Sequence, residues 1–153
     1  MAFRKTAFAS LFLIVATSVG LIAQGGDKFK VRLAPAPALG VQGGAPAVAG
    51  IGSATATWNG KKLAVNGTFE KMASPPTTAK IGLGLATGAR GDLILDLTVT
   101  KSPQSTAKEN GGTIAGSVDL TPAHVEALRK GKLYVQINSE GAPNGHLLGW
   151  LLK

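Results

Sequence analysis

Two histidines are the side chains in this 153-residue sequence best suited to acid–base or metal chemistry. His124 falls in a short predicted helix, and His146 begins the last predicted strand. Neither has a third donor nearby at the spacing that a metal ion requires, so both are predicted to lie on the surface. The carboxylates are spread over separate segments, and no Asp/Glu pair is arranged locally for catalysis. The sequence therefore predicts no catalytic residue, no metal ligand and no cofactor.

Short sequence motifs give no further indication of catalysis or cofactor binding. The chain has no cysteine, which excludes a disulfide scaffold, a thiol nucleophile and cysteine-ligated metals. It also lacks the G-x-S-x-G sequence of serine hydrolases. The glycines of Gly82–Gly88 resemble a dinucleotide loop, but a turn and a strand follow where that loop requires a helix. Arg90–Asp92 (RGD) is interpreted as turn chemistry rather than an integrin ligand, and the Asn66–Thr68 sequon falls inside a predicted strand.

The first 23 residues have the layout of a secretory signal peptide. Arg4 and Lys5 precede the apolar run Ala7–Val15, and small residues follow it. Cleavage is predicted after Ala23, with Ser18 as the alternative. An uncleaved anchor helix is the competing interpretation, which the short run diluted by small residues disfavours. We therefore predict a secreted or periplasmic protein with no stable membrane span after cleavage.

The mature chain is moderately basic. Removing Arg4 and Lys5 lowers the formal net charge from +8 to +6. The remaining basic residues are scattered, and aromatic residues do not alternate with them in the way that stacks nucleic-acid bases. We therefore expect solvated surfaces and no nucleic-acid partner. An unknown extracytoplasmic protein or polymer is the predicted partner.

Most of the mature chain alternates between apolar and polar positions, which is typical of strands with one solvated face. Asn59-Gly60 between two such runs predicts a hairpin with a type I′ turn. Thr121, Pro122 and Gly131 bound one short helix. This pattern predicts an all-β fold, an antiparallel Greek-key β-sandwich of the immunoglobulin-like or superoxide-dismutase-like kind, in a single domain over residues 24–153. The predicted core contains Leu63, Val65, Leu95, Leu97, Val118, Leu133, Val135 and Ile137.

Five segments of the mature chain carry a family resemblance, namely Gly52–Phe69, Asp96–Lys101, Gly112–Val118, Leu120–Leu128 and Leu133–Leu152. Together they resemble the CHRD domain, a module found in chordin and in stand-alone exported bacterial proteins. The run LTPAHVEALRKGKLYVQINSEGAPNGHLLGWLL is the most specific of them. The resemblance implies an extracytoplasmic all-β module, and it carries no established activity.

The chain departs from the CHRD pattern at positions where the family has polar residues. CHRD domains typically carry His-x-His after a Ser/Thr/Pro loop and a further histidine late in the strand that begins Leu-Tyr-Val. The resemblance places these histidines at Lys80, Gly82 and Asn138. The Glu and Arg of the family's last strand correspond to His146 and Leu148. His-x-His on a β-sandwich is similar to copper–zinc superoxide dismutase, so the resemblance implies a degenerate site that has lost its ligands.

Three function classes remain open. The leading one is a non-enzymatic exported module with a binding or structural role. The second is a degenerate superoxide-dismutase-like metal protein whose histidine ligands are lost. The third is a sugar- or polymer-binding β-sandwich that uses Tyr134, Trp150 and basic residues at its surface, although Trp150 taken alone is interpreted as a core residue.

Overall fold

Strands alternate with turns along almost all of the chain that the computed structural model describes, namely residues 26–37, 48–106 and 109–153. The predicted signal peptide and most of the predicted Pro/Gly/Ala connector lie outside these residues. The described residues form eight strands and one helix: β1 (Asp27–Pro35), β2 (Ile51–Trp58), β3 (Lys62–Met72), β4 (Pro76–Leu83), β5 (Asp92–Lys101), β6 (Asn110–Asp119), α1 (Pro122–Arg129), β7 (Leu133–Ser139) and β8 (Leu147–Trp150). The all-β class with one short helix is confirmed.

The eight strands close into an antiparallel barrel in the order β1-β2-β3-β6-β5-β4-β7-β8. Closure depends on two strands that each change partner along their length. β1 pairs with β2 as far as Leu33 and then with β8 through Ala34 and Pro35. β5 pairs with β4 up to Leu97 and with β6 from Thr98 onward.

The predicted β-sandwich is therefore wrong in its closure, since the two sheets are continuous through β1 and β5. Alternating hydrophobicity shows which side of a strand is buried, and it carries no information about which strands are its neighbours. A sandwich and a flattened barrel accordingly produce the same sequence pattern.

The predicted hairpin between β2 and β3 is present, but its turn is not type I′. Gly60 has a φ of 93°, while Asn59 keeps a negative φ, and a type I′ turn needs positive φ at both central residues. The Asn59 side chain is the reason for the difference. Its Oδ1 accepts hydrogen bonds from the backbone amides of Lys61 (3.1 Å) and Lys62 (2.8 Å), which closes the turn as an Asx turn.

The barrel interior is filled by aliphatic and aromatic side chains from all eight strands and from α1. Six of the eight predicted core residues are buried, and Leu95 and Val118 are partly buried against the same cluster. Leu93 departs from the pattern. The register between β4 and β5 shifts at Ile94, so that Leu93 pairs with Gly82 and is 37% exposed. Such a bulge inserts one residue and moves its neighbour to the other face of the strand.

Helix α1 begins and ends as the sequence predicts. The Thr121 hydroxyl accepts a hydrogen bond from the amide of His124, and Pro122 occupies the first turn, where it needs no donor. Leu128 is fully buried and Val125 is partly buried against the core. The helix therefore closes one end of the barrel with its apolar side.

Strand β7 differs from the other strands because all seven of its residues are buried. Leu133, Val135 and Ile137 point into the barrel, as predicted. Tyr134 and Gln136 alternate with them and point outward, where chain segments outside the barrel wall cover them. This covered outer surface carries most of the positions that the sequence singles out.

Candidate functional site

Lys80, Gly82 and Asn138 lie on the covered outer face of the adjacent strands β4 and β7. The strands are antiparallel, with Lys80 opposite Gln136 and Gly82 opposite Tyr134. Because alternate residues of a strand share a face, Asn138 lies on the same side as Gln136. The structure thus brings the strands of the predicted degenerate site together, and what each position does is determined by its contacts.

Lys80 is held in an ion pair with the neighbouring strand. Its Nζ lies 2.7 Å from Oδ1 of Asp96, directly opposite on β5. Lys80 is partly buried and Asp96 is exposed. An ammonium here donates hydrogen bonds and cannot act as a metal ligand while it keeps its proton.

Gly82 supports an aromatic pair on the outside of the barrel. A Cβ atom at position 82 would overlap the Tyr134 ring, so the ring lies directly on the glycine backbone. Tyr134 in turn packs on Trp150, with ring centroids 5.0 Å apart and the planes tilted by 51°. This packing requires glycine at position 82, because any side chain would displace the ring.

Tyr134 is not the surface-binding group that the sequence suggests. It is only 1% exposed, and its hydroxyl donates a 2.7 Å hydrogen bond to the carbonyl of Gly91. Burial is the main cause that raises the pKa of Tyr134 above its usual value. Trp150 remains partly exposed, but it lies outside the barrel and packs on Tyr134 instead of joining the core.

Asn138 belongs to a chain of hydrogen bonds, here called the outer polar network, formed by Arg90, Gln136, Asn138 and Thr78. Arg90 donates to Oε1 of Gln136 (3.3 Å), Gln136 donates to Oδ1 of Asn138 (2.8 Å), and Asn138 donates to the Thr78 hydroxyl (3.0 Å). Each amide thus acts as acceptor and donor at once. Buried amides paired in this way are satisfied by the protein itself.

Arg90 also fastens the loops that cover this face. Its guanidinium donates to the carbonyls of Asn144 (3.0 Å) and Pro37 (3.3 Å). The loop between β4 and β5 is thereby tied to two other segments of the chain. The Arg90–Asp92 tripeptide is built into the fold through this arginine, which agrees with its interpretation as turn chemistry.

His146 is fully buried. The prediction that it lies at the surface is therefore wrong. Its Nδ1 lies 2.6 Å from Oγ of Ser139, and its Nε2 lies 2.7 Å from the carbonyl of Ala49. Ser139 Oγ already accepts hydrogen bonds from the Ala142 amide (3.1 Å) and the Ser74 hydroxyl (2.7 Å). The imidazole therefore links Ser139 to the segment of Ala49, whose backbone amide also lies 3.3 Å from Nε2.

A histidine beside a serine hydroxyl is the arrangement that activates nucleophilic serines. Ser139, however, is fully buried, and both of its acceptor positions are occupied by Ala142 and Ser74. The contact therefore ties three loops together and offers no accessible nucleophile. Local sequence periodicity could not reveal it, because Ser74 and Ala49 come from distant segments.

His124 keeps part of its surface exposed, close to the prediction. Its Nδ1 is buried and has no hydrogen-bond partner among the described residues. Across residues 26–37, 48–106 and 109–153, no group of three His, Asp or Glu side chains is placed to hold a metal ion.

On helix α1, the hydrogen bond from Lys130 holds the pKa of Glu126 below its usual value. This is an ordinary ion pair at the surface of the helix.

The domain is an all-β barrel with one short helix. The buried polar side chains on its covered face are hydrogen-bonded within the protein. The CHRD domain family matches residues 29–151. The chain therefore belongs to the CHRD family, which confirms the resemblance seen in its sequence. Searches of the curated proteins and of the solved structures found no match. Within the described residues, no helix is long and apolar enough to cross a membrane.

Proposed function

We propose that this CHRD protein is an exported, non-enzymatic module with a binding or structural role outside the cytoplasm. The observation that carries the proposal is the state of the degenerate site. Lys80 is paired with Asp96, Gly82 lies under Tyr134, and Asn138 is bonded on both sides. The face that would offer chemistry in a relative with histidines is here used to hold the fold together.

Two further features support the non-enzymatic part of the proposal. CHRD domains are generally non-catalytic. The buried Ser139–His146 contact has no open side from which a substrate could approach. The export part depends on the signal-peptide layout of residues 1–23, which lie outside the described residues.

Export is tested by expressing the full chain in a bacterial host and sequencing the N-terminus of the product. The proposal expects a protein outside the cytoplasm that begins at Gln24, or at Val19 if cleavage follows Ser18. A product that keeps Arg4 and Lys5 and remains in the cytoplasm would overturn the export part.

The alternative function, a metal protein of the superoxide dismutase type, is tested by elemental analysis of the mature chain purified without a histidine tag. We expect copper and zinc far below one equivalent. Asn138→Ala serves as the companion variant. Stoichiometric metal that disappears in this variant would replace the non-enzymatic proposal by the metal-protein alternative.

A further inference from the structure

The outer surface of β1, β2, β3 and β6 is open, in contrast to the covered face of β4 and β7. On β1, the exposed residues Lys28, Lys30 and Arg32 point outward at alternate positions. We call these three residues the basic ridge. Alternate residues on a strand are about 7 Å apart, so the ridge is a regular row of positive charges about 14 Å long.

Each cation of the basic ridge has a hydroxyl residue directly across on β2. The pairs are Lys28 with Thr57, Lys30 with Thr55, and Arg32 with Ser53. Residues directly opposite in an antiparallel pair have Cβ atoms about 5 Å apart. A ligand group lying between the two strands can therefore contact a cation and a hydroxyl together.

The small polar surface continues across the next two strands, and we call it the hydroxyl face. Between the Lys62–Asp119 ion pair at one end and Glu70 at the other, the outward residues of β3 and β6 are uncharged and small. They are Ala64, Asn66, Thr68, Thr113, Ala115 and Ser117. With strands about 4.8 Å apart, the outer side of these four strands spans about 14 Å along the strands and about 14 Å across them.

Among the described residues, the charges of the basic ridge have no ion-pair partner. The ion pairs among the described residues join Lys62, Lys80, Lys130 and Lys153 to carboxylates, and none involves the ridge. Glu70 lines the same groove as Arg32 at one end of this surface, while Asp119 and Asp27 are paired with Lys62 and Lys153. The ridge therefore presents its positive charge to solvent.

We infer that the basic ridge and the hydroxyl face together bind an extended anionic polysaccharide. This inference rests on the proposed function, because it names the partner class of that exported module. The ridge complements the carboxylates of the polymer, and the neighbouring hydroxyls match the hydroxyl groups of the sugar rings. An open surface with repeated spacing suits a chain that lies along it rather than a small molecule in a pocket.

Nucleic acid fits this surface less well. Single-stranded nucleic acid is held by aromatic side chains on which the bases stack. The aromatic residues of β1, β2 and β3 are Phe29, Trp58 and Phe69, and all three are buried in the core. The surface therefore has cations and hydroxyls without a stacking platform.

The test measures calorimetric affinity of the mature chain for polygalacturonate at low salt. The ridge variant is Lys28→Gln, Lys30→Gln and Arg32→Gln combined. The control is Lys101→Gln, Arg129→Gln and Lys132→Gln combined, which removes the same charge elsewhere. We expect about a tenfold or greater loss for the ridge variant and about twofold or less for the control, with a shallower salt dependence only in the former. Equal losses would show a net-charge effect and overturn the inference.

A second arm tests the hydroxyl face without changing charge. Thr55→Val with Thr68→Val keeps the side-chain shape and removes two exposed hydroxyls. We expect a loss of about threefold to tenfold, because each hydroxyl contributes one modest hydrogen bond. Unchanged affinity would exclude the hydroxyl face from the site.

The class of partner is tested with three other probes: methyl-esterified polygalacturonate, duplex DNA and anionic lipid vesicles. Weak binding of all three is expected. Binding of DNA or vesicles at least as tight as that of polygalacturonate would overturn the assignment to a polysaccharide. If the exported, metal-free chain does not bind polygalacturonate, this inference fails and the proposed function remains, whereas a stoichiometric metal contradicts the proposed function independently.

Discussion

Outward-facing residues are buried on one side of the barrel and exposed on the other. On β7, the outward Tyr134 and Gln136 are buried beneath loops and bonded to other parts of the chain. On β3, the outward Asn66 and Thr68 are exposed. In sequence, both strands alternate apolar and polar residues, the pattern that is typical of a strand with one buried face. Outward polar residues thus have two different roles in one fold, and only tertiary contacts distinguish them.

The covered side contains buried long-range hydrogen bonds, whereas the open side has the exposed Lys62–Asp119 ion pair. Arg90 connects three segments on the covered side, and His146 connects the loops that contain Ala49, Ser74 and Ser139. A buried polar group that loses its partner costs more than an exposed one, because water cannot replace the lost bond. Substitutions on the covered side should therefore destabilise the protein far more than matched substitutions on exposed surfaces.

The largest expected effect is that of His146→Ala. The change leaves the Ser139 hydroxyl and the Ala49 carbonyl without their partner and opens a cavity in a fully buried position. We expect the free energy of unfolding to fall by about 3–5 kcal/mol, as urea denaturation measures it.

His124→Ala is the matched control, since His124 is partly exposed and its buried Nδ1 makes no hydrogen bond within the described part of the chain. It should change the same free energy by about 1 kcal/mol or less. Similar losses for the two variants would contradict the structural role assigned to His146.

The next effect in size concerns the aromatic pair over Gly82. In Gly82→Ala the new methyl group overlaps the Tyr134 ring, so the ring must move off Trp150 and away from the Gly91 carbonyl. We expect a loss of about 1–3 kcal/mol by denaturant unfolding, as for other overpacked sites. In a Tyr134→Ala background the same substitution should cost much less, and an unchanged cost would show that the ring does not lie on Gly82.

A matched pair of asparagines compares the two sides directly. Asn138→Ala removes both hydrogen bonds of a buried amide and breaks the outer polar network, which should cost about 1–3 kcal/mol in the free energy of unfolding. Asn66→Ala removes an exposed amide from the open face and should cost about 0.5 kcal/mol or less. A difference smaller than the error of the two unfolding curves would remove the distinction between the sides.

Much of the fold follows from local sequence signals, because those signals report local geometry. Thr121 and Pro122 bound the helix, and the alternation in β7 correctly identifies Val135 and Ile137 as core. Alternation alone does not predict the bulge that exposes Leu93, since its cause is the pairing with β4. Closure of the barrel was missed for the same reason, as it depends on the changing partners of β1 and β5.

The candidate site was less predictable than the fold. The family resemblance singles out Lys80, Gly82 and Asn138, and the structure places their strands side by side. Their actual partners come from elsewhere in the chain. The loop that contains Arg90 covers them, and no local pattern indicates where a loop folds back. The same limit explains why His146 and Tyr134 were predicted to lie at the surface.

The smallest expected effect is a dependence of stability on alkaline pH that originates on the covered side. Tyr134 is the only tyrosine, and burial raises its pKa above the usual value of about 10. As the pH rises past the usual value, the unfolded chain loses the phenolic proton while the folded chain keeps it. The contribution of Tyr134 to the free energy of unfolding is therefore fully present below about pH 10. It is lost as the pH rises through the folded-state pKa.

Ultraviolet absorbance of tyrosinate follows this single group directly, and Tyr134→Phe is the control that removes both the signal and its share of the pH dependence. We expect the folded protein to titrate at higher pH than the same chain in denaturant. Coincident titrations would mean that the Tyr134 hydroxyl is open to solvent. The outer face of β7 would then be as exposed as that of β3, and the contrast between the two sides would fail at this residue.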